Sequence, residues 1–84
     1  MSDVRDNPEK HRYELAVGDA LAIADYHMNG TRMGITHVEV PESLRGQGIA
    51  AKLMEGVVAD AKARGFTIVP ICPYAVSYLK RHPQ

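Results

Sequence analysis

A glycine-rich turn leads directly into an apolar helix near the middle of the chain, and this junction constrains the fold more than any other segment. The turn reads "RGQGIA" from Arg45 onward. Apolar residues then recur at helical spacing over residues 49–61, and Gly65 follows where a helix C-cap is expected. Gly46 and Gly48 each weaken a helix start by about 1 kcal/mol relative to alanine. Their presence therefore favours a functional turn over simple packing.

The turn has the features of a phosphate site. The first N–H groups of a helix lack acceptors and its dipole is positive at that end, so an anion is stabilised there. Glycines let phosphate oxygens approach the backbone, and Arg45 adds a cation at the rim. A glycine-rich loop that serves packing alone remains the alternative.

The composition limits where charged ligands can bind. The 84 residues include ten basic and ten acidic side chains, so an anion site must be local rather than a whole-domain field for nucleic acid or membranes. The chain opens without a charged and apolar leader, and no apolar run approaches the roughly 20 residues that span a bilayer. We therefore expect a cytoplasmic protein. The single cysteine, Cys72, excludes an internal disulfide and a zinc site built from cysteines.

The first part of the chain predicts a tail and two strands. Residues 1–10 are polar and are expected to form a flexible tail, with residues 11–84 forming a single domain. Alternating apolar and polar residues predict a half-buried strand over residues 11–17. After a short turn at Gly18, a second strand follows over residues 20–28.

A hairpin joins the second strand to a third. Asn29 and Gly30 tolerate the positive φ of a two-residue turn, and the third strand extends to residue 40. A pairing of Met28 with Thr31 then fixes the faces of the hairpin. One face holds Ala20, Ala22, Ala24, Ile35, His37 and Glu39. The small alanines would leave space for a ligand beside His37, unless a bulge in the third strand shifts the faces.

The segment after the long helix contains one apolar strand and a short final helix. The strand covers residues 66–71, and the helix covers residues 73–82 with Pro73 at its first position. The crossover helix makes this strand parallel to the third, with a right-handed connection. Pro70 has no N–H for the strand ladder, so the parallel pair is expected to come apart there and leave a wedge. The predicted fold is α/β (α+β), with three antiparallel strands, a crossover helix, a fourth parallel strand splayed from the third and a short C-terminal helix.

Two known phosphate-binding designs match the glycine turn locally. The spacing Gly46-x-Gly48-x-x-Ala51 agrees with the Rossmann dinucleotide fingerprint. In that fold the first glycine follows its strand directly, whereas here residues 41–45 intervene. The next strand ends in "VPIC" without the acidic residue that holds a ribose, so the dinucleotide interpretation is disfavoured.

The second design rests on Arg45-x-x-Gly48-x-Ala50, placed after a strand that ends in "EVP". This pattern resembles the acyl-CoA-binding signature of the GNAT superfamily of N-acetyltransferases. Four blocks in order, "THVEVP", "RGQGIAAKL", "IVPICPY" and "YLKRHP", are similar to a small one-domain branch with a cysteine before the last helix. The resemblance covers about residue 34 to the C-terminus and implies a minimal GNAT-like fold.

The resemblance also implies where acetyl-CoA or CoA binds. In the family, backbone amides of the signature turn bind the CoA pyrophosphate, and the pantetheine arm lies in a V-shaped opening between the strands on either side of the helix. The implied cofactor-binding residues are Val38, Val40, Arg45, Gly46, Gln47, Gly48, Ile49, Ala50 and Ala51. The chain departs from the family where a tight turn replaces the usual helices between the first two strands, so the acceptor is left unassigned.

Tyrosine, histidine and glutamate side chains are candidates for proton transfer. Tyr78 stands where the resemblance implies a tyrosine that protonates the CoA sulfur, and it is alternatively a core aromatic stacked on Tyr74. His37 and Glu39 alternate onto one strand face beside the wedge. They are candidates for accepting the amine proton, directly or through water, or else an exposed polar pair.

Cys72 stands at a helix start, where the helix dipole favours a thiolate. It is a candidate acyl acceptor or a wall of the CoA tunnel, and alternatively a small buried residue. His82 ends the helix and reaches the other candidates only if the last turn is ordered. A metal site built from His37, Glu39, Cys72 and His82 is disfavoured because no two have the close spacing of helical ligands.

Three classes of function follow from these residues. The leading hypothesis is an N-acetyltransferase that moves an acyl group from CoA to an unidentified small-molecule or protein amine. A CoA-binding or sensing module without turnover is the second, and a structural domain without a ligand is the third. We expect no nucleic-acid or membrane partner. We also expect a monomer or a weak dimer, since an exposed first strand can pair edge to edge.

Overall fold

The computed structural model describes residues 3–83, which form a mixed sheet and two helices. The strands are β1 (Arg5–Asn7), β2 (Arg12–Val17), β3 (Ala20–Asn29), β4 (Arg32–Glu39) and β5 (Thr67–Pro70), the helices are α1 (Ile49–Ala63) and α2 (Pro73–Arg81), and short 3-10 turns lie at Pro8–Lys10 and Glu42–Leu44. The sheet order is β1-β2-β3-β4-β5, and every pair is antiparallel except β4–β5, which is parallel. The predicted mixed α/β class and the crossover to a parallel strand are confirmed, but the sheet has five strands where four were predicted.

The N-terminal segment differs from its prediction. β1 pairs antiparallel with β2, so the flexible tail predicted for residues 1–10 is wrong over this stretch; residues 1 and 2 lie outside the described residues. The cause is long range. Asp6 accepts hydrogen bonds of 2.6 Å from Tyr26 and from Arg64, which no local pattern reveals. β2 is consequently an interior strand, and the edge expected to support a weak dimer is covered by β1.

α1 packs on one face of the sheet, here called the inner face, through the predicted apolar stripe. The buried residues of the stripe are Ile49, Leu53, Val57 and Ala61. α1 ends just before Gly65, as predicted, because this glycine adopts a left-handed φ of +77° that a helix cannot continue through. The N–H of Phe66 then donates to the Ala61 carbonyl at 2.8 Å, and that of Gly65 to Lys62 at 3.2 Å, which satisfies the last carbonyls of the helix. α2 contributes buried residues to the same core.

The β3–β4 hairpin starts close to its prediction. Its closing pair is Asn29 with Arg32, so the two-residue turn is Gly30-Thr31, one residue later than expected. Near the turn the predicted faces hold. Ile35 pairs with Tyr26, and both are buried on the inner face.

A bulge at Thr36 then reverses the faces of the last residues of β4. Tyr26 pairs with Ile35, yet the preceding Asp25 pairs with His37, so Thr36 is the extra residue. Past the bulge, His37 and Glu39 lie opposite Asp25 and Ile23 on the outer face, and Val38 pairs with Ala24 on the inner face. The prediction that His37 and Glu39 share a face with the alanines is therefore wrong.

The parallel pair β4–β5 separates halfway along β4. Pairing runs from Arg32 with Thr67 to Ile35 with Pro70. The N–H groups of Ile71 and Cys72 then both donate to the Ile35 carbonyl at 3.0 Å. β4 continues beyond this point without a further β5 partner among the described residues. The splay predicted from Pro70 is thus present, and the gap between the last part of β4 and the start of α2 is called the opening below.

No helix within residues 3–83 is long and apolar enough to cross a membrane. The cytoplasmic location stays a prediction.

Candidate functional site

The turn before α1 is shaped by two glycines in the left-handed region. Gly46 has a φ of +81° and Gly48 a φ of +72°. A Cβ built at either position would meet nothing within 4 Å, so glycine is needed here for backbone conformation rather than for room. The bend leads into the start of α1 at Ile49, whose side chain is buried in the core, while Gly46 and Gly48 are exposed.

Six successive backbone N–H groups, those of residues 46–51, donate to no acceptor among the described residues. The first bond into α1 runs from the N–H of Lys52 to the carbonyl of Gly48 at 3.1 Å, and no side chain caps the helix. The preceding donors are satisfied, because Leu44 and Arg45 donate to the carbonyls of Pro41 and Glu42. The free donors therefore begin at the first glycine. Together with the helix dipole they form an anion site without any lysine.

The two long side chains of the turn fold back onto preceding residues. The Nε of Arg45 donates to the Val40 carbonyl at 3.4 Å, and Nε2 of Gln47 donates to the Ser43 carbonyl at 3.2 Å. Both side chains are exposed. The guanidinium of Arg45 therefore places a positive charge beside the free N–H groups. The side chain of Gln47 is engaged with Ser43, so only its backbone N–H is available to a ligand.

A depression of about 180 Å³ connects the turn to the opening. It is lined by Val40, Leu44, Arg45, Gly46, Gly48, Ile49, Ala50, Ala51 and Tyr74. Val40 follows the end of β4 and Tyr74 lies in the first turn of α2, so the depression begins at the glycines and ends between the two segments that separate. Seven of the nine predicted cofactor residues line it; Val38 and Gln47 do not.

Tyr74 and Leu44 are the two lining residues that the sequence did not predict, and Tyr74 is the one that lies at the opening. The spacing of Tyr74 and Tyr78 on one helix predicted only a ring stack, and their rings do lie 6.4 Å apart at 31°. The position of Tyr74 beside the turn depends on how α2 packs against α1. The sequence signal that could have identified Tyr74 is its position two residues after Cys72, at the start of the helix that borders the opening.

Tyr78 is buried in the core through its ring but keeps a free hydroxyl. The residue is 6% exposed, and its ring stacks on that of His82 at 4.4 Å, so the last turn of α2 is ordered. Among the described residues, every fully buried side-chain nitrogen or oxygen has a hydrogen-bond partner. The Tyr78 hydroxyl has no partner, so its oxygen is not fully buried and reaches the surface. Burial raises the pKa of Tyr78, with smaller contributions from Glu55 and Tyr74. A protonated phenol without a partner is able to donate a proton.

Cys72 caps the start of α2. Its residue is 8% exposed, and Sγ accepts a hydrogen bond from the N–H of Ala75 at 3.3 Å. The sulfur thus takes the place that serine or aspartate usually occupies at an N-cap. A covalent role for this thiol stays a prediction.

His37 and Glu39 form an exposed pair on the outer face. Nε2 of His37 lies 3.6 Å from Oε1 of Glu39, with side-chain exposures of 56% and 65%. The sheet lies between this pair and Tyr78, which packs on the inner side. The structure therefore places the candidate proton acceptors and the candidate proton donor on opposite sides of the splayed β4. No three His, Cys, Asp or Glu side chains of residues 3–83 are placed to hold a metal ion.

Comparison with known proteins agrees with this geometry. The chain matches the model of the GCN5-related N-acetyl-transferase family over residues 12–84, and it belongs to that family. A GCN5-like protein from Staphylococcus aureus, solved in solution by NMR, superposes with a TM-score of 0.73 and 25% sequence identity, covering 98% of this chain and 83% of that one. No curated protein matches the chain.

Proposed function

We propose that the protein binds acetyl-CoA in the depression and transfers the acyl group to an amine. The observation that carries this proposal is the run of six free N–H groups at residues 46–51, which adjoins an opening between two separated strands. Family membership supports the same chemistry. When bound, the cofactor would supply an activated acyl thioester.

The turn fits the diphosphate of this cofactor. The N–H groups of residues 46–51 would hold its oxygens, and Arg45 would add a positive charge at the rim. No side chain fills the space around either glycine, so the oxygens can approach the backbone closely. Tyr74 would form the wall where the depression meets the opening.

The bulge at Thr36 presents new backbone groups to the opening. Before the bulge, the carbonyl of Ile35 faces β5, as its bonds to Ile71 and Cys72 show. Along a strand, the N–H and C=O groups of successive residues point alternately toward the two neighbouring strands. The extra residue Thr36 shifts this alternation, so that His37 and Glu39 point toward β3 and Val38 and Val40 point away from it. We therefore infer that Val38 and Val40 direct their N–H groups into the opening, where such groups would polarise the thioester carbonyl.

Proton transfer would use both sides of β4. Tyr78, whose pKa is raised mainly by burial, remains protonated at neutral pH and would donate to the departing thiolate. His37 and Glu39 would accept the proton of the amine on the outer side, directly or through a water.

The test is turnover. Purified protein with acetyl-CoA and a panel of amines, peptides and polyamines should release free thiol above the rate of acetyl-CoA hydrolysis alone. Release that never exceeds this background, together with tight CoA binding, would favour a CoA-sensing module over an enzyme.

A further inference from the structure

A groove on the outer face of the sheet lies apart from the depression. It has a volume of about 310 Å³ and is lined by His27, Asn29, Arg32, Gly34, Val69 and Ile71. Both helices contribute to the core on the inner side, so the groove is open to solvent. Its two ends differ in chemistry.

The floor of the groove is apolar and depends on glycine. A Cβ at Gly34 would lie 2.8 Å from Cδ1 of Ile71, so a larger residue would push this side chain aside and fill the floor. Val69 is the parallel partner of Gly34 and continues the same surface. Ile71 is 57% exposed, which leaves its apolar side free to contact a ligand.

The far end of the groove carries an uncompensated positive charge. Arg32 has no ion pair or side-chain hydrogen bond within the described part of the chain, and the side chains of His27 and Asn29 have none there either. Arg12, on the same outer face, is by contrast paired with Glu14 at 2.7 Å. A free guanidinium at the end of an apolar groove is complementary to a carboxylate.

The near end of the groove meets the opening. The N–H of Ile71 donates to the Ile35 carbonyl at the point where β4 and β5 separate. The next outer-face residue of β4 after the bulge is His37, followed by Glu39. Arg32 pairs with Asn29 and His37 with Asp25, so the two residues lie opposite positions that are four residues apart on β3. A strand rises about 3.3 Å per residue, so Arg32 and His37 lie roughly 13 Å apart along the sheet.

We infer that this groove binds the acceptor, and that the acceptor is a small amine with an apolar middle and a carboxylate on the order of 10 Å from its amino group. The inference rests on the proposed function, because it places the amine at the opening. The carboxylate pairs with Arg32, the apolar chain lies over Gly34 and against Ile71, and the amino group reaches the His37 end. In the transfer a carbon–nitrogen bond forms as the carbon–sulfur bond breaks; the amine proton leaves toward the outer pair, and the sulfur gains one from Tyr78.

A matched series of amines tests the inference. With carbon–carbon bonds of about 1.5 Å, an extended chain of about eight carbons spans the groove, so 8-aminooctanoate, octylamine and 1,8-diaminooctane differ only at the far end. We expect kcat/KM for 8-aminooctanoate to exceed that for octylamine by about tenfold, and 1,8-diaminooctane to be the poorest. Arg32→Gln should remove this preference, so that 8-aminooctanoate and octylamine react at similar kcat/KM, and Arg32→Lys should restore part of it. Arg12→Gln, on the same face but away from the groove, should keep the full preference.

A binding measurement separates this inference from the proposed function. Octanoate, which cannot be acylated on nitrogen, should shift the amide resonances of Gly34, Val69 and Ile71 in labelled protein without any cofactor. If CoA shifts residues 46–51 but octanoate leaves the groove unmoved, or the three amines react equally, the groove assignment is overturned and the cofactor site stands. If octanoate binds the groove but CoA leaves residues 46–51 unmoved, the proposed function fails instead, and with it the role of the groove as an acceptor site.

Discussion

The hydroxyl of Tyr13 on β2 donates a hydrogen bond of 2.6 Å to the carboxylate of Asp60 on α1. Arg64 completes the contact, because its guanidinium binds Asp60 at 2.6 Å and Asp6 of β1 at 2.6 Å. Three segments distant in sequence thus meet at one end of α1. This network fixes α1 on the sheet, and with it the direction in which the glycine turn at the other end presents its N–H groups.

Removing the Tyr13 hydroxyl should destabilise the fold modestly. Asp60 is partly exposed and keeps its bond to Arg64, so we expect Tyr13→Phe to lower the free energy of unfolding by about 1 kcal/mol. Urea denaturation measures this. Tyr74→Phe is the matched control, because the Tyr74 hydroxyl has no partner among residues 3–83; equal midpoints for the two variants would contradict the importance of the network.

The same network predicts a loss of stability at alkaline pH. Burial, reinforced by the hydrogen bond to Asp6, raises the pKa of Tyr26 to about 12, and burial with the bond to Asp60 raises the pKa of Tyr13 as well. An unfolded tyrosine titrates near pH 10. The stabilisation is therefore fully present below about pH 10 and is lost as pH rises through the folded pKa values.

Denaturation curves at several pH values check this direction. The free energy of unfolding should fall between pH 10 and pH 12 in the wild type, and Tyr26→Phe should flatten the slope. A wild-type slope that the variant leaves unchanged would show that other groups cause the alkaline loss.

The sequence predicted those features that depend on neighbouring residues. Gly65 ends α1 and Pro73 begins α2 as expected, because a left-handed C-cap and a first-turn proline are local requirements. β1 was missed because Asp6 finds its partners Tyr26 and Arg64 only in the folded chain.

The glycine turn of the candidate site was predicted from the sequence, whereas the positions of His37, Glu39 and Tyr74 were not. Its turn follows from the glycine spacing, so most of the predicted cofactor residues line the depression. The bulge at Thr36 has no strong sequence signal, and it moved His37 and Glu39 to the outer face. Tyr74 entered the site through helix packing, which spacing along one helix does not reveal.

The left-handed glycine of the turn should be essential for CoA binding. Gly48→Ala forces a side chain into a φ of +72°, at a cost of about 1–2 kcal/mol in stability, and tilts the free N–H groups. Gly18→Ala imposes a similar strain, at a φ of +60° with nothing near its Cβ, in a turn that does not line the depression. Calorimetry should show a loss of CoA affinity of tenfold or more for Gly48→Ala only. Equal affinities in both variants would argue against the turn.

Tyr78→Phe should slow acyl transfer without weakening CoA binding. The hydroxyl has no partner in the described protein, and in the proposed mechanism it would act only on the leaving group, so we expect kcat to fall about 100-fold. Since the pKa of Tyr78 is raised, the wild-type rate should not decline from loss of this proton below about pH 10. Tyr26→Phe, assayed well below its unfolding temperature, is the control; an undiminished kcat in Tyr78→Phe would assign the residue to packing alone.

Cys72 offers a way to separate capping from covalent chemistry. The thiol accepts the N–H of Ala75, so Cys72→Ser keeps an acceptor whereas Cys72→Ala loses it and should destabilise α2 by about 1 kcal/mol. If the role is capping, Cys72→Ser retains most of the turnover. A rate abolished in the serine variant, with an acyl adduct on the wild-type thiol by mass spectrometry, would establish an acyl-enzyme.

Titration of CoA into isotope-labelled protein is the most direct measurement of the central claim. The amide resonances of residues 46–51 should shift together and saturably, since their N–H groups exchange water for diphosphate oxygens, and the signal of Tyr74 should move with them. Saturable CoA binding that leaves residues 46–51 unmoved, or no binding at millimolar CoA, would contradict an anion site at this turn.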